Sequence, residues 1–168
     1  MIIQRRINGD QDFDKNWQEY VNGFGYLDGD FWFGLENLHL LTSSDRHQLN
    51  IIMTIYGLTS FVEYDDFRVG NLESLYELES LGTFIKGSKK HPFNRNSLTP
   101  KEKTKFSTYD KKNNPNTYKN CAENGMGGWW YLYCFGSNLN APYNDEMVWS
   151  YNRVTSATMK IRPYSNEY

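Results

Sequence analysis

Two cysteines, three histidines and two acidic clusters are the residues of this chain whose types and spacing could do chemistry. Cys121 and Cys134 are the only cysteines, and they bracket a glycine-rich stretch that contains Trp129-Trp130. No third cysteine or nearby histidine completes a metal site, so the pair reads as one local disulfide. The enclosed segment is then expected to be a stapled loop rather than a strand or helix. Aromatic, glycine-rich loops suit recognition better than a core. His39, His47 and His91 are scattered, and no Cys-His, Ser-His-Asp or His-x-x-x-His arrangement stands out. Asp65-Asp66 and Asp28-Gly29-Asp30 could imitate the carboxylate pair of a glycoside hydrolase. Adjacent acids in turns are more often solvated turn formers, and Asp28-Gly29 is a turn dipeptide. The residue types point to binding and away from catalysis.

The bulk numbers bound the partners. A length of 168 residues fits one domain with one core. The net charge is -2 and no basic patch dominates, which argues against a nucleic-acid partner. The longest apolar runs, such as Leu49 to Tyr56, are too short to span a bilayer, so no membrane insertion is expected. Aromatic residues make up 17%, enough both to fill a core poor in aliphatics and to leave an aromatic binding face. Met1-Ile2-Ile3-Gln4-Arg5-Arg6 has no apolar signal-peptide region. An oxidised pair and a missing leader conflict: either the chain is reduced and cytosolic, or it is a piece of something secreted. Lys89-Lys90-His91 and Lys101 to Lys105 read as solvated charge runs.

The elements that would position these residues follow from periodicity. Ile2 to Ile7 is β-prone and meets the Asn8-Gly9 turn signal. Asp12 is expected to cap a helix through Phe13, Trp17, Tyr20 and Val21, which Asn22-Gly23-Phe24-Gly25 ends. Leu35, Leu38 and Leu41 suggest a second helix from Phe33 to Leu41. Gln48 to Tyr56 reads as a buried strand, Gly57-Leu58-Thr59 as a turn, and Ser60 to Tyr64 as a strand extended by Phe67-Arg68-Val69. Tyr76 to Leu81 alternates like a half-exposed strand. Residues 87 to 120 are polar and read as loop, and Ala157 to Pro163 as the strand that closes the sheet. The fold class is α+β: an antiparallel sheet with short flanking helices and a grafted loop-rich subdomain.

A chain of motifs then resembles one family. Ile3-Gln4-Arg5-Arg6-Ile7-Asn8-Gly9, Asp12-Phe13, Trp17 and Tyr20-Val21-Asn22-Gly23-Phe24-Gly25 resemble the opening of the fibrinogen C-terminal (fibrinogen-related) domain. Phe31-Trp32-Phe33-Gly34-Leu35-Glu36-Asn37-Leu38-His39, Tyr64-Asp65-Asp66-Phe67 and Phe106-Ser107-Thr108-Tyr109-Asp110 continue it. Asn120-Cys121-Ala122, Gly128-Trp129-Trp130, Asn138-Leu139-Asn140 and Met159-Lys160-Ile161-Arg162-Pro163 follow in register. The resemblance implies a secreted, non-enzymatic recognition domain of the group that includes ficolins, tachylectins, angiopoietins and tenascins. It implies a central antiparallel sheet and a C-terminal loop subdomain holding the ligand pocket. It also implies that residues 1 to 168 form a single domain lacking the family's usual N-terminal strands and first disulfide.

The same resemblance assigns sites, and the departures modify them. After Phe106-Ser107-Thr108-Tyr109-Asp110 the family carries alternate aspartates that hold calcium, a hard cation that wants charged oxygens. Lys112 and Asn114 stand at those positions, or Asn113 and Pro115 if the loop through Asn116 to Cys121 is one residue longer. No cofactor is therefore expected. In acetyl-binding relatives a histidine follows the second cysteine and an unusual cis peptide precedes it; here the residues are Tyr133-Cys134-Phe135. Tyr131, Tyr133, Cys134, Phe135, Asn140 and Tyr143 form the expected ligand site, with backbone N–H groups near Cys134 gripping an acetyl oxygen. Two readings of it stay open: a modified aromatic slot, or a surface of packed tyrosines. Trp129-Trp130 reads as the small core of the loop. The implied partner is an N-acetylated or microbial glycan; the alternatives are a receptor protein, or a truncated chain inactive alone. Oligomerisation is not encoded in this segment.

Overall fold

The computed structural model describes residues 1–87, 95–98, 101–115, 118–143 and 145–165. His91, the Lys89-Lys90 pair and Asn116 lie outside the described residues. The sheet is organised by two long strands. β4 (His47–Ile55) alternates strictly, with Leu49, Ile51, Met53 and Ile55 buried. That is the period of a strand with one face on a core. β13 (Asn152–Pro163) pairs antiparallel with it from Val154 to Pro163 and buries Val154, Ala157, Met159 and Ile161.

The other strands build outward from this pair. β1 (Ile2–Arg6) flanks the far side of β13 and meets β3 (Phe31–Trp32), which pairs with β2 (Phe24–Gly25). β5 (Leu58–Tyr64) flanks β4 and meets β8 (Phe84–Gly87). The order is β2-β3-β1-β13-β4-β5-β8. β13, read from sequence as the strand that closes the sheet, lies at its centre between β1 and β4. It is also longer than the alternating run Ala157 to Pro163 revealed, because Asn152 to Ser156 lack that alternation. β4 and β5 are joined by a two-residue turn at Tyr56 and Gly57, both at positive φ, so β5 starts at Leu58 and not at Ser60.

Two short helices accompany the sheet among the described residues. α1 (Trp17–Asn22) starts four residues later than expected. Its cap is Asn16, whose side chain accepts from Glu19 N–H while the Glu19 carboxylate accepts from Asn16 N–H. Asp12 instead accepts from Asp14 N–H and holds a turn that drops Phe13 into the core. α2 (Leu35–Ser44) outlasts the expected end at Leu41 because Thr42 is buried. The Thr42 hydroxyl donates to Leu38 O and accepts Val69 N–H. Among the described residues no helix is long and apolar enough to cross a membrane.

The expected extension of β5 through Val69 does not form. Asp65 and Asp66 N–H turn to Thr83 and Leu81 carbonyls, and Phe67 N–H to His47 O. The chain is thereby redirected, and β6 (Arg68–Val69) pairs with β7 (Leu78–Ser80) in a separate ribbon. Tyr76 is left out of that ribbon at a positive φ. The segment read as loop contains β9 (Phe106–Ser107), which pairs with β10 (Trp129–Trp130). β11 (Ser137–Asn138) and β12 (Val148–Trp149) complete the ladder back to β13. All five tryptophans are buried.

Candidate functional site

The site is built on the disulfide. Cys121 and Cys134 are bonded, with Cα atoms 4.8 Å apart, and the enclosed segment is more than a loop. Trp129 and Trp130 form β10 against Phe106 and Ser107, contrary to the expectation of a strand-free staple. The reason is local. Gly128 packs so closely that a Cβ there would lie 2.6 Å from the Phe106 ring. Trp130 Nε1–H donates to Tyr76 O, and its ring meets those of Phe106 and Trp32. Both tryptophans belong to the main core of the domain and not to a small core of the loop's own, and the segment that leaves it at Leu132 emerges on the surface.

The six expected ligand residues divide. Tyr131 is fully buried; its hydroxyl donates to Gly127 O at 2.6 Å and accepts from Asn138 Nδ2–H at 2.8 Å. Burial raises its phenol well above the usual range. Asn140 is also buried, donating to Gly128 O and accepting from Gln4 Nε2–H. Both were read as pocket walls and both are internal struts, because the glycine-rich backbone beside them needs partners. Tyr143 donates to Ile7 O and stacks over Gly9, where a Cβ would meet its ring at 2.6 Å. Asn140 and Tyr143 border an open cleft of about 560 Å³ on the β1 side, together with Asp10, Asp12 and Asp14.

Tyr133 and Phe135 point elsewhere. Each is 71% exposed, they flank the half-buried Cys134, and the Tyr133–Cys134 peptide is trans. They line a cavity of about 290 Å³ with Leu132, Gly136, Arg95, Asn96, Ser97, Lys101, Ser150 and Tyr151. Tyr151 is 79% exposed and completes a wall of three aromatics. Sequence reading missed all eight of these residues. One signal for Tyr151 exists only in the backbone: Ser150 and Tyr151 both hold positive φ, at 48° and 65°, in the β12–β13 turn. Bulky residues there are uncommon and mark enforced geometry. Ser150 N–H to Ser97 Oγ, Tyr151 N–H to Gly136 O and Trp149 Nε1–H to Arg95 O tie the three segments of the cavity together.

Lys101 corrects the reading of a solvated charge run, for it is only 4% exposed. Its backbone is fixed in a turn between Leu98 O and Thr104 N–H, which carries the side chain inward. Desolvation lowers its pKa to about 8. The folded state therefore binds that proton more weakly than the unfolded chain. Stability should rise by roughly 2 kcal/mol between pH 7.5 and 9.5 through this group. Urea unfolding across that range checks it, with Lys101→Met expected to remove the rise. Above pH 10 the buried phenols of Tyr20 and Tyr64, raised by burial, act the other way, since free phenols of the unfolded chain ionise first.

The remaining candidates for chemistry are structural. His39 Nδ1–H donates to Val69 O, and His47 Nδ1–H to Asp45 O. Asp65 pairs with Arg46 at 2.9 Å and accepts from Thr83 N–H, while Asp66 accepts from the Ser80 hydroxyl. Asp30 is buried and accepts from three successive N–H groups, those of Ile7, Asn8 and Gly9, with the Arg6 guanidinium 3.7 Å away. In the expected calcium loop, Asp110 accepts from Trp17 N–H and the Thr108 hydroxyl. Asn113 Nδ2–H donates to Phe106 O and Asn114 Nδ2–H to Lys119 O.

Comparison with known proteins gives a consistent result. The family model for the fibrinogen beta and gamma chains, C-terminal globular domain, matches residues 1–167. Tenascin-R of Gallus gallus is 35% identical over 99% of the chain, which spans only 12% of that relative. The fibrinogen-like globe domain of human ANGPTL2 superposes with a TM-score of 0.87 at 32% identity, over 98% of this chain and 80% of that one. Lamprey fibrin D-dimer, solved with the peptide Gly-His-Arg-Pro-amide, superposes with a TM-score of 0.83 at 25% identity, over 99% of this chain and 62% of that one.

Proposed function

The chain belongs to the family of fibrinogen C-terminal globular domains, and from that premise we propose that it is a non-enzymatic, extracellular recognition domain that binds a protein partner through the Tyr133–Phe135–Tyr151 cavity. One observation carries this: three aromatic side chains stand exposed around a single cavity beside the disulfide, while most other large aromatics are packed. Exposed tyrosine and phenylalanine around a depression are characteristic anchors for a partner side chain. The lamprey relative's peptide ligand is in keeping with a protein ligand. An N-acetylglycan slot built on Tyr131, Phe135 and Tyr143 is the weaker reading, because Tyr131 is a buried strut and Tyr143 faces a different cleft from Phe135. The disulfide supports residence in an oxidising compartment.

Calcium independence is part of the same reading. The residues of the 110–115 loop do not fit the ion: Asn113 and Asn114 present amide donors to carbonyls, and Lys112 adds a positive charge. Hydrogen bonds hold the loop instead. The test is selection of binders from a phage-displayed random heptapeptide library, followed by thermal melts with the best peptide, N-acetylglucosamine, calcium or chelator. A ligand that binds only the native state raises the midpoint. Peptide should raise it for the native chain but not for Tyr133→Ala/Phe135→Ala, and calcium and chelator should leave it unmoved. A rise with the sugar alone would return the glycan reading.

A further inference from the structure

The geometry points to a carboxylate-bearing peptide side chain as the ligand of this cavity, seated on Lys101 with Arg95 at the rim; the inference rests on the cavity being the binding site. Lys101 lines the cavity and is 4% exposed, yet its ammonium has no ion pair or hydrogen bond among the described residues. Arg95, exposed on the same cavity, likewise has no acidic partner among them. The acid adjacent in sequence, Glu102, is used elsewhere, accepting Leu81 N–H at 2.7 Å. Burying an unpaired charge is costly, and such a charge in a cleft marks a site that a ligand completes. The lowered pKa of Lys101 fits the same picture, since desolvation is its only cause.

The lining also says which acid. Sugars bring many hydroxyls that need partners. Here an amide oxygen and a hydroxyl of the lining are committed internally: Asn96 Oδ1 accepts from the Tyr64 hydroxyl, and Ser97 Oγ accepts from Ser150 N–H and donates to Gly136 O. Aromatic surface and positive charge dominate the rest of the lining. An Asp or Glu side chain, with an apolar stem and apolar or aromatic neighbours, needs no more than that. A cationic peptide terminus would be repelled.

The experiment compares sequences selected from the random heptapeptide library by four proteins: the native chain, Lys101→Met, Arg95→Gln and Tyr133→Ala/Phe135→Ala. We expect at least tenfold enrichment of Asp or Glu at one position on the native chain. That enrichment should vanish with Lys101→Met and weaken with Arg95→Gln, an exposed change that leaves the fold intact. If peptides are selected and are lost in the aromatic variant, but without acidic enrichment or unchanged by Lys101→Met, the acidic ligand is wrong and the cavity reading survives. If the aromatic variant selects the same peptides, or nothing is selected by any protein, both fail. Glucuronic acid displacing the best peptide at a lower concentration than the free peptide itself would assign the cavity to acidic glycans and overturn the peptide.

Discussion

Replacing Asp30 by alanine is expected to lower the free energy of unfolding by about 3–5 kcal/mol. Asp30 sits just before β3, and its carboxylate is the convergence point of the turn after β1. Alanine would leave three backbone donors without their acceptor and the Arg6 guanidinium buried without its counter-charge. Arg6 cannot retreat. Its Nη1 donates to Leu139 O and Ala141 O, and its plane lies 4.0 Å over the Phe13 ring. The pair thus joins the sheet to the loop subdomain, and its loss should weaken both. Urea unfolding measures it; a loss below 1 kcal/mol would mean that solvent or relaxation replaces the carboxylate. Arg6→Met/Asp30→Leu should lose less than Asp30→Ala alone, because no buried charge is left over.

The second large effect is expected at Cys121 and Cys134. In the chain-entropy model a closed loop of this length contributes roughly 3 kcal/mol. Cys121→Ser/Cys134→Ser should lower the urea midpoint accordingly, and a reductant should reproduce the shift in the native chain. The loss should also be uneven. Cys134 separates Tyr133 from Phe135, so the cavity wall hangs directly on the bond. β4 and β13 bury their core faces far from it in sequence and pair along their full shared length. Hydrogen exchange should therefore quicken first in residues 121–136 and last in β4 and β13. Uniform exchange in the reduced protein would sink this account of how the site is supported.

How much of this was legible in the sequence depends on what each residue answers to. β4 shows its alternation openly, because one neighbouring face is core and the other is not. The disulfide was legible from two cysteines alone, and the α+β architecture from the motif order. Boundaries failed where a tertiary partner decides them. Asn16 and Glu19 form a capping box that Asp12 obscured, and Thr42 prolongs α2 for the sake of a hydrogen bond to Val69. The site was half legible. Tyr133 and Phe135 are exposed neighbours of a cysteine, and their chain position suffices to find them. Tyr131 and Asn140 look alike in sequence but answer to glycine backbone that only the fold brings beside them. Lys101 could not be recognised at all: one lysine in a charged run is buried because a turn aims it inward, and nothing in its neighbours says so.

The place of β13 at the heart of the sheet has a consequence for how the protein is made. β1 and β4 are neighbours of β13, not of each other, so β1 can pair early with β3 on one side while its other edge waits for residues 157–160. On the ribosome, the nascent polypeptide carries two open strand edges until residue 163 has left the exit tunnel. Contacts of such long range form slowly, and unpaired edges invite wrong partners. The decisive pairing therefore waits for the last strand of the domain. During synthesis the half-made sheet depends on whatever shields those edges from other chains.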